Sequence, residues 1–358
     1  MSGNFVQRGD FAVLDKYARA ETAVRGGADL VLELPLAAAL SSAEGFARGA
    51  VALLHGIGCR YLSFGAETAD ISLVQQAAEA LNALPPAAGN RSGLSYAAYR
   101  QQELAALNPA AAALLTSPNN TLGIEYCRAL LRVGAAPALF TIPRTGAAHD
   151  ATPENAGGYS ASAIRHLLAE GRRADALSRM VPAMRAVYEA EETAGRAPVF
   201  AAACERAILA RLRSMTPAEF DALDTGHEGV GQRLYNASRN AATLDAVLDN
   251  AKTKRYAYAR LRRMVLWAYL GLTPAKLPAS VPYLRVLAAN ETGRALLGRM
   301  RKTARLPVIT KPAAIRSLSP DAHRLFETES RAADLYALAY PELTEACGSL
   351  WRQNPVMP

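Results

Sequence analysis

The sequence has few cysteines and lacks a long apolar run. Its four cysteines lie far apart and form no Cys-x-x-Cys pair: Cys59, Cys127, Cys204 and Cys347. This spacing argues against a cysteine-based zinc site or a disulfide framework, and it favours reduced thiols in the cytoplasm. The apolar stretch at residues 30–40 contains Glu33 and Pro35. Because it is shorter than the ~20 residues of a membrane-spanning helix, we predict no membrane association.

Several common catalytic patterns are also missing. The chain contains no Walker A motif and no His-Glu-x-x-His motif, which are typical of P-loop nucleotide-binding proteins and zinc proteases. It shows no Ser-His-Asp order of the hydrolase type. We predict no metal site built from protein side chains.

The composition is that of a globular protein with a basic surface. The chain has 358 residues, of which 51% are hydrophobic and 20% charged, and this length is sufficient for two domains. Lys and Arg number 40 against 32 Asp and Glu, a net charge of +8. This balance permits a polyanionic partner such as a nucleic acid but does not identify one.

The first half alternates apolar runs with helical patterns. Residues 15–25 have the spacing of an amphipathic helix. Residues 30–34, 59–64 and 138–142 read as buried strands bounded by Gly or Pro. Such alternation predicts an α/β fold with a parallel sheet covered by helices, which binds ligands at the carboxyl ends of its strands.

The second half lacks this alternation. The strand pattern fades after about residue 172, and helical patterns occupy residues 176–194, 199–213, 232–248 and 255–270. We therefore predict an α/β domain over residues 1–175 and a mainly helical, basic domain over residues 176–358.

Polar clusters come directly after the predicted strands or begin the helices after them. Gly65 lies just past the second strand, the Asn119-Asn120 pair begins a helix, and Arg144 lies just past the third strand. Each has a simpler interpretation as a turn, a helix cap or a surface arginine. His149-Asp150 lies in the next loop, where a solvated histidine is the simpler interpretation.

A further cluster, Ser160, Ser162 and Arg165, begins another helix. Two hydroxyls and a guanidinium at a helix N-terminus suit a phosphate, because free N–H groups and the helix dipole both favour an anion there. Helix capping alone accounts for Ser160, but less easily for the whole set.

The second half contains a basic stretch with tyrosines between its cations. The cations are Lys252, Lys254, Arg255, Arg260, Arg262 and Arg263, and the rings are Tyr256 and Tyr258. Cations neutralise phosphates and rings stack on unpaired bases, so this stretch is a candidate RNA surface. The alternative is a solvated helix face with Tyr256 and Trp267 partly in the core. Three more cations are candidates for extending the surface: Arg233, Arg239 and Lys302.

Taken together, the clusters resemble the tRNA(Met) cytidine acetate ligase family of the nucleotidyltransferase superfamily. The resemblance covers nearly the whole chain, and it rests on these segments in order: MSGNFVQRG at residues 1–9, DLVLELP at 29–35, AEGFARGAV at 43–51, FGAE at 64–67, SPNNTLGIEY at 117–126, Arg144-Thr145-Gly146, YSASAIR at 159–165 and KRYAYARLRR at 254–263.

The resemblance implies a nucleotidyltransferase fold, a two-step reaction and a set of partners. Acetate and ATP would form acetyl-adenylate, and the acetyl group would pass to the wobble cytidine of elongator tRNA(Met). Mg²⁺ is expected with the ATP. By the family pattern, the positions that contact ATP are Gly65, one of Asn119 and Asn120, Arg144, Ser160, Ser162 and Arg165. The basic stretch at residues 252–263 would hold the tRNA.

The sequence departs from the family pattern at the loop that binds the ATP phosphates. The family has a strand, a loop with a His-x-Gly-His motif and a helix ahead of the MSGNFVQRG segment, whereas the histidines here are scattered: His55, His149, His166, His227 and His323. We expect that Met1 is an internal methionine of a longer product. For the short form we expect poor stability and little ATP turnover, because a buried parallel strand would be missing, and we leave its catalytic residues unassigned.

Two other interpretations stay open. One is a nucleotidyltransferase acting on a small metabolite, against which the basic second half argues. The other is a non-catalytic tRNA-binding protein, which the missing histidine motif favours. The residues also leave open whether acetate is the acyl donor, whether Asn119 or Asn120 meets the nucleotide, and whether the chain dimerises.

Overall fold

The computed structural model describes residues 1–85, 94, 96–144, 160–223, 228–278, 280–343 and 346–358. Its strands are β1 Phe5–Val6, β2 Asp10–Phe11, β3 Leu30–Leu32, β4 Tyr61–Ala66, β5 Ala138–Pro143, β6 Leu284–Ala289 and β7 Val308–Ile309. Its α-helices are α1 Lys16–Arg25, α2 Leu36–Ala39, α3 Ala43–Gly56, α4 Ile71–Ala83, α5 Tyr96–Leu107, α6 Pro109–Leu114, α7 Pro118–Val133, α8 Ala161–Ala169, α9 Arg173–Ser178, α10 Pro182–Thr193, α11 Glu205–Ser214, α12 Pro217–Asp221, α13 Val230–Arg239, α14 Leu244–Ala251, α15 Tyr258–Tyr269, α16 Glu291–Thr303, α17 Pro320–Ala337 and α18 Ser349–Arg352. Short 3₁₀ turns occupy Ala201–Cys204, Pro274–Lys276 and Pro312–Ser317.

Several first-half helices begin at a polar residue whose side chain caps them. Asp15 accepts a hydrogen bond from the Tyr17 N–H at the start of α1, and Ser42 accepts one from the Gly45 N–H at the start of α3. These side chains satisfy backbone donors that have no partner within the helix. The helix predicted over residues 15–25 is thereby confirmed.

The two strands β4 and β5 form a parallel sheet. They pair in register from Tyr61 opposite Ala138 to Ala66 opposite Pro143, so their carboxyl ends lie side by side. Helices α4 and α7 pack on one face of this sheet. On the other face Tyr61, Phe140 and Ile142 are 68%, 52% and 60% exposed. The predicted α/β fold with a parallel sheet is confirmed.

Strand β3 lies in a different sheet from the one expected. It pairs antiparallel with β6, which in turn pairs parallel with β7. All six residues of β6 are buried, because α1 and α16 pack around it. The second half therefore contributes two strands to a sheet shared with the first half, although helices dominate it. The division of the chain at residue 175 stays a prediction.

A buried cluster of charges joins this sheet to α17. The Lys16 Nζ lies 2.8 Å from Glu33 Oε1, and the Arg285 guanidinium lies 3.2 Å from Glu33 and 3.0 Å from Glu329. The Tyr283 hydroxyl donates to Glu329 at 3.0 Å. Burial alone would raise the pKa of Glu33, but Lys16 and Arg285 hold it below its ordinary value. These charges stabilise one another in a region that excludes water.

The hairpin of β1 and β2 packs against α15. Gly9, at its turn, has φ +77°, and an added Cβ would lie 2.5 Å from the Arg263 backbone nitrogen. The Arg263 guanidinium donates to the Gln7 carbonyl at 3.0 Å. Gly9 is therefore required both for its left-handed conformation and for this close approach.

Several helices of the second half are shorter than the patterns predicted. The helix expected over residues 176–194 divides into α9 and α10 at Pro182, and the one expected over 232–248 divides into α13 and α14. A proline at the first position of α10 favours a new helix start there. Within the described part of the chain, none of the helices has the length and apolarity needed to cross a membrane.

Candidate functional site

The carboxyl ends of β4 and β5 bring together two of the predicted site residues. The Arg144 N–H donates to the Ala66 carbonyl at 2.9 Å, which extends the strand pairing by one residue. An added Cβ on Gly65 would lie 3.5 Å from Arg144 Cγ, so the arginine side chain passes over the glycine. The Arg144 guanidinium is exposed, and no ion-pair partner for it is found among the described residues. As far as the described residues extend, the edge therefore presents a cation without an ion-pair partner beside the backbone of Gly65.

The Asn119-Asn120 pair lies at the same edge, and its two members have different roles. Asn120 is 4% exposed, and its Oδ1 accepts hydrogen bonds from the N–H groups of Glu67 and Thr68 at 2.9 and 3.1 Å. Asn119 is only partly buried, and its Nδ2 donates to Glu67 Oε1 at 2.7 Å. Asn120 therefore holds the loop after β4, and Asn119 is the member nearer to solvent.

Glu67 is a residue of this edge that the sequence analysis did not assign. Its carboxylate also accepts from the Asn120 N–H at 2.8 Å and so caps α7, where the Ser117 side chain makes no capping bond. Burial would raise the pKa of Glu67, but the hydrogen bonds from Asn119 and Asn120 lower it below its ordinary value. The position of an acidic residue directly after strand β4 was the available signal.

We expect Asn120→Ala to lower the free energy of unfolding by about 1–3 kcal/mol, because two backbone N–H groups lose their acceptor. Asn119→Ala is the matched control, and we expect it to stay within about 0.5 kcal/mol of the wild type. Urea denaturation followed by circular dichroism measures both. Equal effects of the two substitutions would contradict the assignment of Asn120 as the structural member.

The predicted phosphate cluster begins α8. The Ser160 hydroxyl accepts from the Ala163 N–H at 3.1 Å, so the capping interpretation holds for this serine. Ser162 accepts a hydrogen bond from Arg8 at 3.0 Å, and Arg165 lies one turn further along, partly exposed. The hairpin arginine thus joins the cluster, which the MSGNFVQRG segment alone did not indicate.

An acidic residue lies among the arginines of this cluster. Burial raises the pKa of the Asp10 carboxyl. Three guanidiniums act on it in the opposite direction, those of Arg262, Arg165 and Arg8. The start of α8, the hairpin and α15 therefore meet in one strongly basic region. Thr145, Gly146, His149 and Asp150 lie outside the described residues.

The basic stretch is not one continuous helix. Lys252, Lys254 and Arg255 precede α15, in a turn where Thr253 accepts from two backbone N–H groups. Lys254 and Arg262 are exposed. Lys252 and Arg262 lie 5.5 and 6.0 Å from the ring of Tyr258. This part of the stretch presents cations and a ring to solvent together.

Other members of the stretch are engaged within the protein. Arg260 pairs with Glu228 at 2.5 Å, and Arg255 lies 3.9 Å from the same carboxylate. The Tyr256 hydroxyl donates to the Glu228 carbonyl, which fits the core interpretation of this ring. Burial lowers the pKa of Arg263 to about 10.

Two of the three cations considered as extensions of the RNA surface instead donate hydrogen bonds to carbonyls at helix ends. Arg233 donates to the carbonyls of Asn250 and Ala251 at the end of α14. Arg239 donates to the carbonyls of Leu212 and Met215 around the end of α11. Lys302 is exposed on α16.

Comparisons with known proteins show the family of this chain. The model of the HIGH Nucleotidyl Transferase family matches residues 1–349. The tRNA(Met) cytidine acetate ligase of Acetivibrio thermocellus is 34% identical over 381 residues, an alignment that covers 100% of this chain and 91% of the relative. The chain belongs to the HIGH nucleotidyl transferase family, and within it to the tRNA(Met) cytidine acetate ligase family. The ligase of the same name from Syntrophotalea carbinolica is 36% identical, covering 95% of this chain and 86% of the relative.

Solved structures of this ligase family have the same fold. The apo crystal structure of Thermotoga maritima TmcAL matches with a TM-score of 0.92 and 28% identity, covering 100% of this chain and 91% of that chain. The crystal structure of the same protein bound with alpha-thio ATP matches with a TM-score of 0.91 and 30% identity, with the same coverage. The family resemblance inferred from the motifs is therefore confirmed.

Proposed function

We propose that this chain ligates acetate to the N4 amine of the wobble cytidine of elongator tRNA(Met), using ATP and passing through acetyl-adenylate. The observation that carries this proposal is the 34% identity, across the whole chain, to a tRNA(Met) cytidine acetate ligase. The grouping of Gly65, Asn119 and Arg144 at one sheet edge supports a nucleotide site in this chain.

The proposed nucleotide site has two parts. Gly65, the Asn119-Asn120 pair and Arg144 form the sheet-edge part, where Arg144 supplies a guanidinium for the phosphates. Because Asn120 already holds the loop after β4, Asn119 is the member that we assign to the nucleotide. Ser160, Ser162 and Arg165 form the second part, at the N-terminus of α8, where backbone N–H groups favour an anion.

The first step requires alignment and charge stabilisation rather than a protein nucleophile. An acetate oxygen attacks the α-phosphorus of ATP, the α–β bridging bond breaks, and pyrophosphate leaves with its electron pair. Arg144 and Arg165 stabilise the charge on the leaving group. In the second step the cytidine N4 attacks the acetyl carbonyl, AMP leaves, and N4 loses a proton.

Mg²⁺ would bind at this site together with the nucleotide. Among the described residues, no three His, Cys, Asp or Glu side chains come together as a metal site. Mg²⁺ would therefore be held chiefly by the ATP phosphates, with Glu67 the carboxylate at the sheet edge. When bound, it neutralises phosphate charge.

The tRNA is proposed to bind the basic stretch. Lys252 and Arg262 lie against the Tyr258 ring, and Lys254 is exposed two residues after Lys252. This arrangement suits phosphate contacts beside a stacked base. Arg255, Arg260 and Arg263 are partly buried and add to the local positive field, with part of the charge of Arg255 and Arg260 offset by Glu228. Binding of this kind weakens as salt is raised.

The test is pyrophosphate release by the purified chain with ATP, in the presence and absence of acetate, followed by transfer of labelled acetate to tRNA(Met). We expect whatever pyrophosphate release this chain shows, even at a low rate, to depend on acetate, and the label to stay with the tRNA. Release without acetate would instead indicate a nucleotidyltransferase for another substrate. Salt-sensitive tRNA binding with no pyrophosphate release would indicate a non-catalytic RNA-binding protein.

A further inference from the structure

A cavity separate from the sheet edge lies between the hairpin segment, α8 and the start of α10. Its volume is about 360 Å³, within the range of roughly 300–1,000 Å³ typical of small-ligand sites. Its walls are mainly apolar and include Val13, Ile164, Leu168, Met180 and Met184. Such a cavity suits a flat, weakly polar group.

Three arginines border the same cavity: Arg19, Arg165 and Arg179. Arg19 donates to the carbonyls of Leu14, Ser2 and Gly3, which are uncharged. None of the three forms an ion pair within the described part of the chain. The Asp10 carboxylate attracts Arg165 electrostatically, but it also attracts Arg8 and Arg262. Arg19 also interacts with the carboxylates of Asp15 and Glu33, so Arg165 and Arg179 are the partly buried cations here that lack an ion-pair partner among the described residues. Such cations favour an anionic ligand.

The hairpin that lines the cavity also contacts both proposed substrate regions. Val6 lines the cavity. The next two hairpin residues, Gln7 and Arg8, contact the basic stretch and the phosphate cluster, respectively. The Gln7 carbonyl accepts from Arg263 of the basic stretch, and Arg8 donates to Ser162 of the phosphate cluster. Ala161, in the first turn of α8, also lines the cavity. The hairpin turn therefore links one wall of the cavity to the basic stretch and to the phosphate cluster.

We propose that this cavity receives the acceptor base of the RNA, turned out of its stack, while Arg179 holds an adjoining phosphate. The inference rests on the proposed function. Enzymes that modify an exocyclic amine take the base out of the stack and place it between apolar or aromatic side chains. Free acetate would leave most of this volume empty, which favours a nucleotide over the acyl donor. The first turn of α8 would keep the acyl-adenylate within reach.

Val181 offers a way to block the cavity with little risk to folding, because it lines the cavity and is 62% exposed. We expect Val181→Trp to lower acetyl transfer to tRNA about 10²-fold, the size of effect that misplacing a reacting group produces. Acetate-dependent pyrophosphate release is expected to stay unchanged. Val133→Trp, at a 40% exposed position of α7, is the matched control and should transfer normally.

A second readout is independent of ATP. An anticodon stem-loop with the fluorescent analogue pyrrolocytidine at the wobble position should brighten on binding wild-type protein, because unstacking relieves quenching. It should bind Val181→Trp without brightening. Arg179→Met should weaken transfer at least about fivefold, consistent with the loss of a phosphate contact. Its control, Arg185→Met on α10, removes an exposed cation paired with Glu189 and should have no effect.

Three results would overturn the inference: normal transfer and brightening by Val181→Trp, an equal loss of transfer and pyrophosphate release, or wild-type binding of the stem-loop without brightening. A wild type that brightens the probe but releases no pyrophosphate would contradict the proposed function and leave the base site supported.

Discussion

Replacing Arg285 by methionine is expected to lower the free energy of unfolding by about 3–5 kcal/mol, which is a large part of the roughly 5–15 kcal/mol that stabilises a typical protein. Arg285 is 4% exposed and lies between the carboxylates of Glu33 and Glu329. Without it, Glu33 keeps its ion pair with Lys16, whereas Glu329 has no ion-pair partner within the described part of the chain. Burial already raises the pKa of Glu329, and loss of Arg285 would remove its ion-pair partner.

Urea denaturation is the measurement for Arg285→Met. Arg324→Met is the matched control, because Arg324 pairs with Asp321 at a position where both side chains are exposed. Exposed pairs contribute at most about 1 kcal/mol, so we expect a small change there. A loss below about 1 kcal/mol for Arg285→Met would show that the buried cluster adds little to stability.

Replacing Arg144 by alanine is expected to slow acetate-dependent pyrophosphate release by about 10²–10³-fold, the usual effect of removing a donor aimed at developing charge. The side chain is exposed, so its loss should not unfold the protein. The expected fall is in kcat/KM for ATP, since the guanidinium is assigned to the phosphates.

The control for Arg144→Ala lies at the other end of the same sheet. Arg60 directly precedes β4 and is exposed, but it lies at the amino edge, where no nucleotide contact is proposed. Arg60→Ala should retain wild-type release, and both variants should show unchanged unfolding curves. If the two variants lose activity equally, general surface charge rather than a defined contact at the carboxyl edge is responsible.

The sheet-edge group could be predicted from sequence because its members depend on local rules. Strand β4 ends at Ala66 and β5 ends at Pro143, and parallel pairing places the residues after the two strands next to each other. The structure also places Glu67 at this edge. Its role depends on hydrogen bonds to residues more than 50 positions away. No local pattern indicates such bonds.

Strand β6 could not be predicted in the same way. Its partner β3 lies far away in the chain, and all six of its residues are buried, so the alternation that marks a surface strand is absent. Arg285, a charge inside this run, further hides the strand. Its partners Glu33 and Glu329 become apparent only when the fold brings them together.

The pairing of β3 with β6 has a consequence for synthesis on the ribosome. About 250 residues separate Leu32 from Leu284. At roughly 5–20 residues per second, β3 waits on the order of 13–50 seconds for its partner. During this interval its backbone edge and the carboxylate of Glu33 have neither β6 nor Arg285. The nascent chain is therefore a natural client for chaperones until translation is almost complete.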